Sequence, residues 1–165
     1  MQTRRWNLDD SDLGGAVLST RSSGSDSGGP ALLCIHGLGG SSLNWVDLMG
    51  RLEGTADLLA VDLPGFGASP PPRNGDYSPR GHARHAAALA RAWQRERGSS
   101  EPVHVIGNSL GGAVALQLAA AQPDLVASLT LLAPALPTRK VRRGNAHLPV
   151  AAIPGLGERL GRRYR

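Results

Sequence analysis

The sequence predicts an α/β protein built on a doubly wound, mostly parallel sheet. Three observations support this prediction: short unbroken apolar runs typical of strands buried on both faces, longer helix-forming stretches that alternate with them, and brief connections rich in Gly, Pro and Ser. The chain has 165 residues, of which 41% are apolar. One domain with a sizeable core is therefore expected.

The N-terminal part carries the weakest pattern. Residues 6–20 alternate loosely between apolar and polar side chains, with Gly14 and Gly15 at a turn, which predicts one or two strands at an edge of the sheet. Residues 21–29 (RSSGSDSGG) predict a flexible loop. We therefore expect residues 1–29 to form N-terminal edge strands and a loop that precede the core.

The core is expected over residues 30–136, where strand and helix patterns alternate. Helix limits are marked by Ser41 or Ser42 and by Ser78 as N-caps, and by Gly54 and Gly98 as stops. The predicted strands are 31–35, 56–61, 102–106 and 126–133, and the predicted helices are 43–52, 78–97 and 113–122.

The turn between the third of these strands and the last helix is Gly107–Gly112 (GNSLGG), with Ser109 at its apex. So tight a turn forces unusual backbone angles on the central residue and requires neighbours without bulk, which explains Gly107 and Gly111. The pattern is that of a G-x-S-x-G nucleophile elbow. By itself the motif is weak, and a plain strand-to-helix connection with a buried serine is the alternative.

Two further motifs follow predicted strands at the same edge of the sheet. His36–Gly40 (HGLGG) follows the first, and Asp62–Ser69 (DLPGFGAS) follows the second. Because the carboxyl ends of parallel strands meet at one edge, where the sites of such folds collect, we expect all three motifs to lie together.

From about residue 30 to 136, these three motifs in this order resemble the α/β-hydrolase fold superfamily. The resemblance implies that Ser109 is a nucleophile that forms an acyl-enzyme, with the backbone N–H groups of Leu110 and Leu38 as oxyanion donors. It also implies structural rather than catalytic roles for the loop and elbow residues His36, Gly37, Asp62, Gly107 and Gly111.

The sequence departs from this family after Ser109. The family's order is nucleophile, acid, histidine, but Asp124 is expected at the opposite edge, and Glu158 and His147 lie in a tail without strand pattern. The remaining histidines, His82, His85 and His104, precede the elbow. We therefore expect a chain truncated before the triad acid and base, with a sheet incomplete at the C-terminus and residues 137–165 as the start of a helical lid.

The resulting hypothesis is a serine hydrolase that cleaves a small ester or related acyl compound. A carbon–carbon bond hydrolase, lactonase, thioesterase or perhydrolase of the same fold remains an alternative, as does a catalytically silent binding module. Enzymes of this fold that use an aspartate nucleophile are disfavoured by the serine at position 109. No motif implies a cofactor or a metal.

Composition bounds the possible partners. The net charge of +5 is unevenly spread: residues 134–165 hold eight Lys or Arg and one acid, Glu158, a net of +7, whereas the other 133 residues have a net of −2. Without interleaved aromatic residues this tail favours a solvated basic segment over a nucleic-acid site. Neither a signal peptide nor a spanning segment is evident, so a cytoplasmic location without membrane insertion is expected. Cys34 is expected to be a core residue, and nothing indicates the oligomeric state.

Overall fold

The computed structural model describes residues 1–8, 13, 15–23 and 28–136. Six strands of these residues form one sheet in the order β1-β2-β4-β3-β5-β6. Helices follow β3, β4 and β5. The elements in chain order are β1 (Gln2–Leu8), β2 (Ala16–Ser22), β3 (Ala31–Ile35), α1 (Val46–Arg51), β4 (Asp57–Val61), α2 (Pro79–Glu96), β5 (Val103–Asn108), α3 (Leu110–Ala121) and β6 (Val126–Leu132).

The sheet is mostly parallel, as the sequence predicts. Strands β4, β3, β5 and β6 run parallel, and the β1–β2 hairpin joins them antiparallel through β2. In the register, Ile35 pairs with both Val61 and Gly107. The ends of β4, β3 and β5 are therefore level, and the residues that follow them meet at one edge.

The prediction of a flexible loop from residue 21 is wrong at its start. Arg21 belongs to β2, where it pairs with Thr3 on one side and Ala60 on the other. Strand pairing on both sides overrides the polar local composition. It also places β2 inside the sheet, so that only β1 of this hairpin is an edge strand.

The helix predicted over residues 43–52 forms in two parts. A 3₁₀ turn, Ser42–Trp45, precedes α1, which ends at Arg51. Ser41 is the N-cap: its hydroxyl accepts the Leu43 N–H at 3.3 Å, and Asn44 Oδ1 accepts the Ser41 N–H at 2.9 Å. This reciprocal capping satisfies the first amides of the turn.

The cap predicted for α2 is confirmed. The Ser78 hydroxyl accepts the Gly81 N–H at 3.0 Å, and Pro79 occupies the first helical position. Gly98 follows the helix with a φ of +61°, a conformation that glycine adopts without strain. The residues that cap α2 at both ends are thus those that the sequence indicates.

Two apolar clusters cover the two faces of the sheet. The larger lies against α2 and α3 and includes Leu18, Leu33 and Leu118, while the smaller lies against α1 and includes Cys34 and Met49. Cys34 is fully buried, and burial raises the pKa of its thiol to about 12. The predicted core position of Cys34 is confirmed, and its thiol is unreactive at neutral pH.

Within the described part of the chain, no helix is long and apolar enough to cross a membrane. Met1–Ala135 pack as one compact unit. The lid expected over residues 137–165, together with His147 and Glu158, lies outside the described residues.

Candidate active site

Ser109 occupies the sharp turn between β5 and α3 with φ 51° and ψ −112°. Its backbone N–H and C=O are both hydrogen-bonded. The N–H donates to Leu132 O at 2.9 Å, and the carbonyl accepts the Ala135 N–H at 2.8 Å and the Gly112 N–H at 3.0 Å. Its hydroxyl has no hydrogen-bond partner among the described residues, and the residue is half-buried. A free hydroxyl is thus presented at the N-terminus of α3.

The two glycines that flank the serine leave no room for a side chain. A Cβ on Gly107 would lie 2.3 Å from Gly111 O, and one on Gly111 would lie 2.2 Å from Ile35 O. Both obstacles are backbone atoms, which cannot rotate away. The need for neighbours without bulk, inferred from the sequence, thus has a definite steric origin.

His36 follows β3 at the same edge, and both of its ring nitrogens are hydrogen-bonded. Nε2 accepts the Leu63 N–H at 3.0 Å, so Nδ1 carries the proton and donates it to Gly37 O at 2.7 Å. Burial lowers the pKa of the imidazole below 6.5, although the bond to Gly37 and the charge of Asp62 oppose this. A buried neutral ring without a free nitrogen cannot take a proton from Ser109.

Asp62 follows β4 and joins the two loops beside the elbow. Its carboxylate accepts the Ser42 N–H at 2.6 Å and the Ala68 N–H at 2.9 Å. Its own carbonyl accepts the hydroxyl of Ser69 at 2.6 Å. The resemblance implied a structural role for Asp62, but nothing in the local pattern indicated the bond to Ser42, which comes from the other loop.

The loop that carries Leu38 is held against the elbow. Gly37 O also accepts the Gly40 N–H at 3.0 Å, which closes the turn. A Cβ on Gly37 would lie 3.2 Å from the Ser109 Cβ, so glycine allows this close approach. Neither Leu38 nor Leu110 donates its N–H to an acceptor among the described residues. Two unused amides therefore flank the serine.

The other histidines of the described part lie elsewhere. His104 is the second residue of β5, towards the opposite end from the elbow, and its Nδ1 lies 2.8 Å from Ser128 Oγ. His82 and His85 are buried on α2. Asp124 lies in the turn that precedes β6, at the far edge. Residues 1–8, 13, 15–23 and 28–136 therefore bring no triad base to Ser109.

The described residues also contain no group of three or more His, Cys, Asp or Glu side chains arranged to hold a metal ion.

Fold and site together define a hydrolase-type α/β architecture with a nucleophile elbow, and comparison with known proteins agrees. A family model described as alpha/beta hydrolase fold matches residues 30–154. Lipase 3 of Moraxella sp. (strain TA144) is 38% identical over 104 residues, which are 63% of this chain and 31% of the lipase. The chain belongs to the α/β hydrolase fold family.

Two more similar proteins show how much of such enzymes the chain represents. A pimeloyl-acyl-carrier-protein methyl ester esterase of Neisseria meningitidis serogroup C is 39% identical over 127 residues, which are 77% of this chain and 44% of the esterase. The crystal structure of a bacterial membrane phospholipase A superposes with a TM-score of 0.71 at 32% identity, covering 84% of this chain and 42% of that one. The chain thus spans less than half the length of these relatives.

Proposed function

We propose that this chain is part of a serine hydrolase that cleaves a small ester or related acyl compound through an acyl-enzyme on Ser109. The backbone of Ser109 is the observation that carries the proposal. A positive φ of 51° is strained for a serine, and it directs an unbonded hydroxyl to the edge where three strands end. If this turn only connected β5 to α3, a glycine would adopt the same positive φ without strain.

The mechanism follows from the groups around this hydroxyl. Ser109 Oγ attacks the ester carbonyl carbon, and negative charge develops on the carbonyl oxygen. Collapse of this intermediate breaks the bond to the alcohol, which leaves with the proton taken from Ser109, and water then hydrolyses the acyl-enzyme to the acid and free Ser109. The N–H groups of Leu110 and Leu38 are proposed to stabilise this charge, each contributing roughly 3 kcal/mol. His36 and Asp62 are proposed to hold the Leu38 loop in place through their bonds to Gly37 and Ser42.

The hydroxyl proton needs a base that the described residues do not supply. We propose that a histidine and an acid later in the chain order complete the site, as in the order typical of this fold. The intact mass of the native product, with sequencing beyond the codon for Arg165, tests this. Fractionation of the same cells tests the predicted cytoplasmic location.

An ester is the proposed substrate because two of the similar proteins are named as a lipase and a methyl ester esterase. Lactonases, thioesterases, carbon–carbon bond hydrolases and perhydrolases of this fold would use the same elbow and oxyanion amides. The choice among them depends on the pocket that surrounds Ser109.

A fluorophosphonate probe tests the proposed nucleophile. We expect covalent labelling of the full-length native product, in which the proposed histidine and acid are present, and loss of this labelling in Ser109→Ala. Ser128→Ala is the matched control, because Ser128 is an exposed serine on β6 whose hydroxyl contacts His104. Labelling that persists in Ser109→Ala, or labelling lost equally in both variants, would contradict the proposal.

A catalytically silent binding module is the second candidate function. One observation favours it: the described residues bring no base to Ser109, since both nitrogens of His36 are already hydrogen-bonded. Saturable binding of an unreactive phosphonate ester that is unchanged in Ser109→Ala, together with no fluorophosphonate labelling of the full-length product, would support the module and contradict the acyl-enzyme.

A further inference from the structure

The exposed face of α2 carries a row of arginines. At 100° per residue, Arg80, Arg84, Arg91 and Arg95 fall within an arc of about 60°, and the row is about 22 Å long. All four side chains are exposed, whereas the opposite face of the helix is buried in the larger core cluster. We call these four residues the arginine row.

Little negative charge opposes the arginine row. Glu96 is the only carboxylate on α2 and α3; it points away from the row by helical spacing and pairs with Arg4. Asp76, in the loop before α2, interacts electrostatically with Arg84, and Arg91 donates to the neutral amide of Gln122. Helix α3 beside it bears no charged residue. The turn after α3 also packs against α2 and carries the exposed Asp124. The exposed face of α2 is therefore a positive strip flanked by two carboxylates, Asp76 and Asp124.

We propose that the arginine row docks this protein reversibly on an anionic lipid bilayer. Four cations on one face of an amphipathic helix suit a layer of lipid phosphates, and at physiological ionic strength each arginine near such a surface strengthens binding about fivefold, the equivalent of about 1 kcal/mol. The apolar face of α2 is occupied by the core, so α2 contributes charge alone, without insertion.

The side chains around the arginine row favour a bilayer over a single-stranded nucleic acid. Single-stranded nucleic acids are bound through bases stacked on exposed aromatic rings, and the aromatic residue of α2, Trp93, is buried with 7% exposure. Helix α2 leaves the edge where β4 ends and returns to the start of β5. By this topology the row runs from the sheet edge where β4 ends towards the edge where β5 begins.

Vesicle co-sedimentation of the full chain tests the proposal. The probe is vesicles of equal parts phosphatidylglycerol and phosphatidylcholine, compared with phosphatidylcholine alone. We expect binding to the anionic vesicles only, reduced at high salt because the contact is electrostatic. In the double variant Arg91→Gln, Arg95→Gln we expect binding weakened roughly thirtyfold.

The matched control is Arg5→Gln, Arg51→Gln, which removes the same charge from exposed arginines of β1 and α1, outside the row. Its binding to the anionic vesicles should weaken by no more than about twofold, the effect of removing two positive charges from elsewhere on the surface. Thermal melts should show that both double variants are folded. Equal weakening in the two double variants, or none in either, would overturn the proposal. So would binding of a single-stranded oligonucleotide through the row without binding to anionic vesicles. Ser109→Ala should bind vesicles normally, so failure here is separable from failure of the proposed chemistry.

Discussion

At the residue scale, the conformation of Ser109 depends on glycines that pack against backbone. We predict that Gly111→Ala destabilises the protein by about 3 kcal/mol or more, because the new methyl group meets Ile35 O at 2.2 Å. Gly50→Ala is the matched control: a Cβ at this position would have nothing within 4 Å, and alanine in the last turn of α1 should add up to about 0.5–1 kcal/mol of stability. Urea unfolding measures both, and equal effects would contradict the steric explanation.

His82 makes stability depend on pH. The ring is fully buried against Phe66 and Tyr77, and neither nitrogen has a partner among the described residues. Burial, then the nearby His85 and His36, lower its pKa from 6.5 to about 4, which Asp76 partly opposes. Between these values the unfolded chain binds a proton that the folded protein does not, so stability falls as the pH is lowered.

We predict that about 2 kcal/mol of stability is lost between about pH 7.5 and about pH 5 because of His82 alone. His82→Leu should remove that part of the loss. Burial shifts the pKa of His36 in the same direction, so some dependence should remain. Urea midpoints at the two pH values, for wild type and variant, provide the measurement. A variant as pH-sensitive as the wild type would show that His82 is not the titrating group.

At the element scale, an ion pair fastens the end of α2 to the start of β4. Arg97 NH1 lies 2.6 Å from Asp57 Oδ2, with side-chain exposures of 18% and 8%, and NH2 donates to Gly29 O at 3.0 Å. The guanidinium also stacks over Trp93 at 5.4 Å. Because both groups of this ion pair are largely buried, substitution of either residue alone should lower the free energy of unfolding.

We predict that Arg97→Ala lowers the free energy of unfolding by about 3 kcal/mol, because it removes both the ion pair with the buried Asp57 carboxylate and the hydrogen bond to Gly29 O. Arg95→Ala, two residues earlier and fully outside the core, should change it by less than about 0.5 kcal/mol. Thermal unfolding followed by circular dichroism separates the two. A small effect of Arg97→Ala would mean that water or other groups stabilise the Asp57 carboxylate in the variant.

The elements were predictable where local chemistry determines them. The ends of α2 follow from its capping residues alone, namely Ser78, Pro79 and Gly98. The three motifs likewise indicated which residues gather at one edge of the sheet. The strand at Arg21 was not predictable, because its partners Thr3 and Ala60 are distant in the chain. Asp62 and Ser42 likewise meet only through the level ends of β3 and β4. Local patterns carry no information about such pairs.

At the scale of the whole molecule, the N-terminal hairpin is part of the main core. Trp6, Leu8 and Leu18 share one apolar cluster with Leu33 and Val105. The hairpin also reaches the site region: Ser19 O accepts the Asp62 N–H at 2.9 Å, and its N–H donates to Ser69 Oγ at 2.8 Å. The family model begins only at residue 30, but the residues before it complete the packing.

We predict that Leu18→Ala, at a fully buried position, costs about 2–5 kcal/mol of stability and lowers the cooperativity of unfolding. Thr3→Ala, on the exposed side of β1, should cost less than about 1 kcal/mol. Denaturant unfolding followed by tryptophan fluorescence, to which Trp6, Trp45 and Trp93 all contribute, measures both variants. If Leu18→Ala changed the unfolding midpoint no more than Thr3→Ala, the hairpin would be an appendage rather than part of the core.

The positive φ of Ser109 also bears on how this sequence could change over generations. A serine in this conformation costs of order 1–3 kcal/mol relative to a relaxed residue, whereas glycine adopts it freely. Selection for folding alone would thus favour Ser109→Gly, and random mutation would find it stabilising. A serine at this position is therefore what selection for the hydroxyl would maintain, against the gain in stability that glycine offers.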